Sequence, residues 1–272
     1  MKVIHKPYTP TKDFRRGSEE LTALHLLNKR FDCRTYLPSM QFFIDSSNEK
    51  PIITDFLKSE IVPSLPARKK MLDIGAGKGE ITGEVGKSFN KVLMIEPGRK
   101  PRMQESTFKR MFSPKYTHID GYFPLDTPPA NDFNLVLGSH VLYYSGQGAW
   151  IYFIECARDL LSKGGKTVFI MNDDIGQAGA MNIHFGGETY GMDRFVQYCS
   201  CYFNQEIKSY ELQITVQALT YKEMMRNAMF YLFNSLRKIK PDELLDYVKT
   251  QFLQPDGTYE MRIFERAFVI EK

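Results

Sequence analysis

The residues best placed to do chemistry lie between Met71 and Glu96. A short apolar run ending at Ile74 meets Gly75, Gly77 and Gly79, and Asp73 stands two positions before the first glycine. Glycines permit a tight turn and let backbone amides approach a ligand closely. The next apolar run closes on Glu96, where a carboxylate can accept hydrogen bonds from a ribose diol. The spacing therefore predicts a nucleoside pocket at the carboxyl edge of a parallel sheet. The dinucleotide fingerprint is G-x-G-x-x-G, whereas the glycines here alternate as G-x-G-x-G. A carboxylate at Asp73 is a poor neighbour for a pyrophosphate and a good one for an ammonium or a sulfonium.

This acidic-x-G-x-G-x-G pattern resembles motif I of the class I S-adenosylmethionine-dependent methyltransferases. Further segments agree with it. The stretch Tyr116 to Gly121 reads as a third strand ending at Asp120, which either meets an adenine amino group, as the resemblance implies, or forms a turn with Gly121. Asp132 to Tyr144 resembles motif IV, whose loop faces the methyl group being transferred. The resemblance implies S-adenosyl-L-methionine as cofactor and S-adenosyl-L-homocysteine as its product. Gly75, Gly77 and Glu96 would bind it, and Asp73, Asp120 and Ser139 would help position it.

These residues need a rigid frame, and the pattern between residues 70 and 172 supplies one. Strand-like and helix-like segments alternate. Ile151, Ile154, Ala157, Leu160 and Leu161 fall at helical spacing after Trp150. Leu161 to Gly165 reads as a helix stop and Lys166 to Met171 as the next buried strand. The expected fold class is α/β, a Rossmann-like, mostly parallel seven-stranded sheet flanked by helices, with added helical elements over the carboxyl edge. The expected organisation is an N-terminal arm over 1–35, with a helix from Glu19 to Arg30, and one domain over 36–272. Its core is 70–172, and segments 36–65 and 173–265 are additions that build an acceptor pocket. Two short helices are expected over 36–65, the second capped by Ser47 or Asn48 with Pro51 in its first turn. The glycine-rich segment from Asp173 to Cys201 predicts a flexible loop and then a helix from about Thr189. An extended run over Ile207–Val216, helices over Thr220–Lys238 and Pro241–Phe252, and a final strand over Thr258–Ile270 complete the chain.

Composition narrows the function classes. The chain has 272 residues, of which 43% are hydrophobic, and a formal charge of +4. No apolar run approaches the roughly 20 residues of a membrane span, and the proline-broken, polar first ten residues do not read as a secretory signal. Basic residues cluster at Arg15–Arg16, Arg68–Lys70, Arg99–Arg102 and Lys109–Arg110, without the basic stripe or interleaved aromatics of a nucleic-acid binder. Four cysteines, Cys33, Cys156, Cys199 and Cys201, read as reduced thiols and not as a metal site or disulfide framework. Cys199 and Cys201 would share a face if their segment were extended. A cytoplasmic, monomeric enzyme with no metal, membrane or nucleic-acid partner is expected.

A narrower resemblance rests on Tyr36 to Glu49, Ile52 to Phe56, Val141 to Tyr144 and Phe268 to Glu271, together with the order of elements between them. These stretches resemble the histamine N-methyltransferase family. The resemblance implies that Glu49 contacts an amine acceptor, with Phe43, Tyr143 and Tyr144 as an aromatic wall. A carboxylate beside such a wall suits a protonated amine or imidazole. Glu49 also has a plainer reading, as an acid at a helix N-terminus. His140 stands where the family has an acceptor-contacting glutamine. It is the candidate catalytic residue, because its ordinary pKa suits a base that removes a proton from an ammonium; a merely buried histidine is the other reading. The family's asparagine near the last strand falls at Arg262 or Ile263, and Pro101 replaces a cofactor-binding glutamine. The expected activity is methyl transfer to a small molecule at an amine or imidazole nitrogen. The alternatives are a small-molecule O-methyltransferase and a non-catalytic cofactor-binding module acting through a partner.

Overall fold

A computed structural model of the chain describes residues 33–97, 113–127, 129–232 and 239–272. The expected helix at Glu19–Arg30, Pro101 and three of the four basic clusters lie outside these residues.

Seven strands form one sheet: β1 (Lys70–Ile74), β2 (Lys91–Glu96), β3 (Tyr116–Asp120), β4 (Phe133–Ser139), β5 (Leu161–Asn172), β6 (Lys208–Ala218) and β7 (Tyr259–Glu271). Their order is β3-β2-β1-β4-β5-β7-β6. The first five run parallel, while β7 is antiparallel to both β5 and β6. The chain leaves β1 towards β2 on one side and later returns to β4 on the other. The carboxyl ends of β1 and β4 therefore flank the point where strand order reverses, the crevice in which open α/β sheets bind ligands. The central strands are buried nearly end to end, as strands covered on both faces must be.

Among the described residues the α-helices are α1 (Cys33–Asp45), α2 (Glu49–Phe56), α3 (Glu80–Val85), α4 (Trp150–Asp159), α5 (Gly176–His184), α6 (Met192–Phe203), α7 (Tyr221–Tyr231) and α8 (Pro241–Gln251). Two apolar clusters cover the faces of the sheet: Trp150, Ile154 and Phe169 belong to one, and Ile53, Leu57 and Val85 to the other. A third, with Phe43, Met181, Met224 and Phe252, joins α1, α5, α7 and α8 to β6 and β7. Thr220 and Glu223 form a reciprocal capping box that starts α7 where the sequence places it.

Several local expectations are corrected. Leu161–Gly165 is not a helix stop before the strand but the strand's own entry, made irregular by a register shift opposite Phe133 and Leu135. Part of the expected loop after Asp173 is helix α5, held because Ala178 and Met181, one helical turn apart, are fully buried. Cys199 and Cys201 lie in α6, so they diverge: Cys199 is buried and Cys201 exposed. Asn48 makes no side-chain cap for α2. It pairs instead with edge strand β6, accepting at Oδ1 from the Thr215 amide at 2.8 Å and donating its own amide to the Thr215 carbonyl at 3.1 Å. That pairing covers part of a sheet edge and fixes the start of α2, and with it Glu49, beside the β7–β6 end of the sheet.

Candidate active site

A cleft of about 400 Å³ opens at the carboxyl ends of β1, β2 and β4, within the size range of small-molecule sites. One end of it is built by the glycine turn after β1. Gly75 takes φ +68° and its Cα lies so close to the β4 loop that an added Cβ would sit 2.4 Å from Val141 Cγ1. Gly77 takes φ +53° with open space where a Cβ would be, and its amide donates to Glu96 Oε2 at 2.9 Å. Burial raises the pKa of Glu96, and the Gly77 amide opposes this. Asp73 is buried on the cleft floor. Burial pushes its carboxyl up to about 7, against the hydrogen bond it accepts from the Thr82 hydroxyl. Ser139 Oγ is buried at the same wall without a hydrogen-bond partner.

The other end is built around His140. Its backbone is left-handed, at φ +57°, which costs a non-glycine residue about 1–2 kcal/mol. Its amide nevertheless donates to the Ile170 carbonyl at 2.9 Å, so the turn is anchored to β5 while the ring reaches the cleft. His140 Nε2 lies 3.2 Å from Glu265 Oε1 and 3.7 Å from Glu49 Oε1. Lys50 Nζ closes the group at 2.6 Å from Glu49 Oε1. Burial of the ring lowers the pKa of His140, but the carboxylates of Glu265 and Glu49 outweigh it and the pKa is raised. Burial also opposes ionisation of Glu49, yet Lys50 and His140 hold its pKa below the ordinary value. The pKa of Glu265 is raised by burial more than His140 lowers it.

Among the sequence-predicted residues, Asp73, Gly75, Gly77, Glu96, Ser139, His140 and Tyr144 line the cleft. Asp120 is exposed beside it, paired in register with Glu96. Glu49 lies beneath Lys50 and His140, which do line the cleft. Tyr143 packs behind His140, its hydroxyl 3.5 Å from His140 Nδ1 and accepting from the Asn172 amide. Phe43 packs against Phe230 in the third cluster, away from the cleft. Sequence reasoning missed Lys50 and Glu265. Along β7 the buried positions alternate, and Glu265 falls in phase with Met261, Ile263 and Ala267. An acid in an inward phase was the available signal.

Two solved structures share this architecture. One is of a protein assigned as a type II methyltransferase from Anaeromyxobacter dehalogenans; it is 12% identical, with a TM-score of 0.51, over 80% of this chain and 94% of that one. The other is of a protein assigned as a methyltransferase from Bacillus halodurans C-125, also 12% identical with a TM-score of 0.51, over 80% of this chain and 99% of that one. This is the class I methyltransferase fold. No family model matches the chain, and no curated protein matches it. Among the described residues no helix is long and apolar enough to cross a membrane.

Proposed function

We propose that the chain is an S-adenosylmethionine-dependent methyltransferase acting on a small molecule at an amine or imidazole nitrogen. Support for the cofactor is local. Glu96 offers a carboxylate to a ribose, Gly77 leaves space against its backbone, Ser139 Oγ is unpartnered, and Asp73 is a buried acid that a cofactor ammonium would hold ionised. When bound, the cofactor supplies an electrophilic methyl carbon on a sulfonium.

The observation that carries the acceptor reading is the charge count around His140. Glu49 and Glu265 face one permanent cation, Lys50. With neutral His140 the group holds one uncompensated negative charge, so it has room for one more positive charge. That charge is a proton, on His140 or on Glu265, both of whose pKa values are raised, or the ammonium of an acceptor. Passing a proton from the acceptor ammonium to His140 keeps the total constant and leaves the acceptor nitrogen with a lone pair. Alignment of that nitrogen and exclusion of water by Tyr144 and the α1–α2 segment complete the protein's task.

The test is a panel of amines, imidazoles, phenols and carboxylates with isotopically labelled cofactor. Transfer to amines or imidazoles, with kcat reduced roughly 10²-fold in His140→Ala, is the expected result. Preference for phenols would replace this reading with O-methylation. Cofactor binding without transfer to any acceptor would favour the binding-module alternative.

A further inference from the structure

The side chain to which the proposed chemistry gives no role beyond its charge is Glu265. It is 1% exposed, sits in the middle of β7, and presents one oxygen to His140 while the other, Oε2, has no hydrogen-bond partner. A carboxylate is rarely buried at such a position without a role, because an incompletely paired buried charge is expensive. Its location is not accidental to the fold. Glu265 pairs across the sheet with Asn172 of β5, whose amide donates to the Tyr143 hydroxyl. The Tyr143 hydroxyl in turn stands beside His140 Nδ1. The imidazole is therefore bracketed by Glu265 at Nε2 and by Tyr143 at Nδ1, both anchored to one β5 residue.

We propose that Glu265 is the positioning residue of a carboxylate–imidazole dyad that makes His140 the base for an amine acceptor. This deepens the proposed function and rests on it. In the resting dyad the neutral imidazole stands 3.2 Å from Glu265 Oε1 through Nε2, a charge contact without a hydrogen bond, and Nδ1 faces the Tyr143 hydroxyl. The acceptor ammonium gives its proton to the imidazole, the acceptor nitrogen keeps the electron pair of the broken N–H bond, and the resulting imidazolium is paired with Glu265 and Glu49. After methyl transfer the proton returns to solvent.

The charged and titratable groups facing the ring are Glu265 from β7, Glu49 and Lys50 from α2, and Tyr143 from the loop after β4. Glu49 is already neutralised by Lys50 at 2.6 Å, so Glu265 is the carboxylate that His140 has mainly to itself. The same three donors, His140, Glu49 and Glu265, lie within 4.8 Å of one another and are types that a metal ion uses. Lys50 inside the group makes a proton the better occupant than a divalent cation.

The experiment is the titration of the His140 ring by NMR in the wild type and in Glu265→Gln and Glu265→Asp, alongside pH profiles of kcat and KM. His140 loses charge as pH rises through its raised pKa, so the wild-type kcat climbs with pH through that value. In Glu265→Gln the ring titration and the rising limb of kcat both move to lower pH. The maximal kcat falls on the order of tenfold to a hundredfold, with KM changed little. Glu265→Asp, which keeps the charge, restores much of the wild-type titration. The proposal is overturned if the ring titrates alike in the wild type and Glu265→Gln, if Glu265→Asp is as impaired as Glu265→Gln at unchanged ring pKa, or if the purified protein carries stoichiometric metal that Glu265→Gln loses. Because the NMR titration needs no turnover, failure of the methyltransferase reading itself would appear separately, as absent transfer with an intact dyad.

Discussion

Replacing Gly75 by alanine is expected to cost the fold several kcal/mol, while the same change two residues later at Gly77 leaves the fold nearly intact and spoils the cleft. Both residues occupy the left-handed region, at φ +68° and +53°, which costs an alanine about 1–2 kcal/mol. They differ in what a methyl group meets. At Gly75 it would collide with Val141, which is packed in the core and forms part of the cleft wall, and forcing a close-packed contact apart adds roughly 1–3 kcal/mol. At Gly77 the methyl meets nothing from the protein and projects into open space. Thermal melts should therefore show Gly75→Ala lowered by roughly 5–15 °C and Gly77→Ala by only a few degrees. Binding of S-adenosylhomocysteine should weaken at least about tenfold in Gly77→Ala despite its near-normal melt. Equal melts for the two variants would contradict the packing assigned to the glycine turn.

Asp73→Asn should move stability and affinity in opposite directions. The carboxyl of Asp73 has its pKa raised by burial from 3.8 to about 7. A raised carboxyl pKa contributes stability that is present below the unfolded value and lost as pH rises through the folded one. Between pH 4 and pH 8 the ligand-free wild type thus loses what Asp73 contributed, on the order of 2–4 kcal/mol at about 1.4 kcal/mol per unit. An asparagine does not titrate and can still accept from the Thr82 hydroxyl. The variant should match the wild type at pH 4 and melt several degrees higher at pH 8. The proposed cofactor offers the wild-type carboxylate an ammonium, a charge-assisted contact worth about 1.5–3 kcal/mol, so affinity for S-adenosylhomocysteine should fall roughly 10- to 100-fold. A variant that melts lower than the wild type at pH 8 would mean that Asp73 is already satisfied in the empty cleft.

Much of this was legible in the sequence because local chemistry fixed it. The glycine turn has one workable backbone path, and Glu96 had to end the neighbouring strand, which it does, bonded to Gly77. The parallel core followed from apolar runs separated by helix-period segments. The acceptor side was less legible for a different reason. Phe43, Tyr143 and Tyr144 look alike as aromatic residues, yet only Tyr144 reaches the cleft while the others pack into the interior. Burial, not residue type, separates a pocket wall from a core. Helix α5 was hidden by its glycines, since its hold on the fold comes from tertiary contacts of Ala178 and Met181 rather than from propensity. Glu265 depends on pairing between β5 and β7, nearly a hundred residues apart along the chain, and only the inward phase of its strand pointed to it.

Calorimetric titration of S-adenosylhomocysteine into the wild type and Glu96→Ala tests most sharply whether the cleft is a cofactor site. Micromolar binding at one site is expected in the wild type. A loss of roughly a hundredfold or more is expected in the variant, because two ribose hydroxyls would lose a charged acceptor worth about 1.5–3 kcal/mol for each bond. No binding to the wild type, or binding that Glu96→Ala leaves unchanged, would contradict a cofactor site there and return the glycine turn to a structural role.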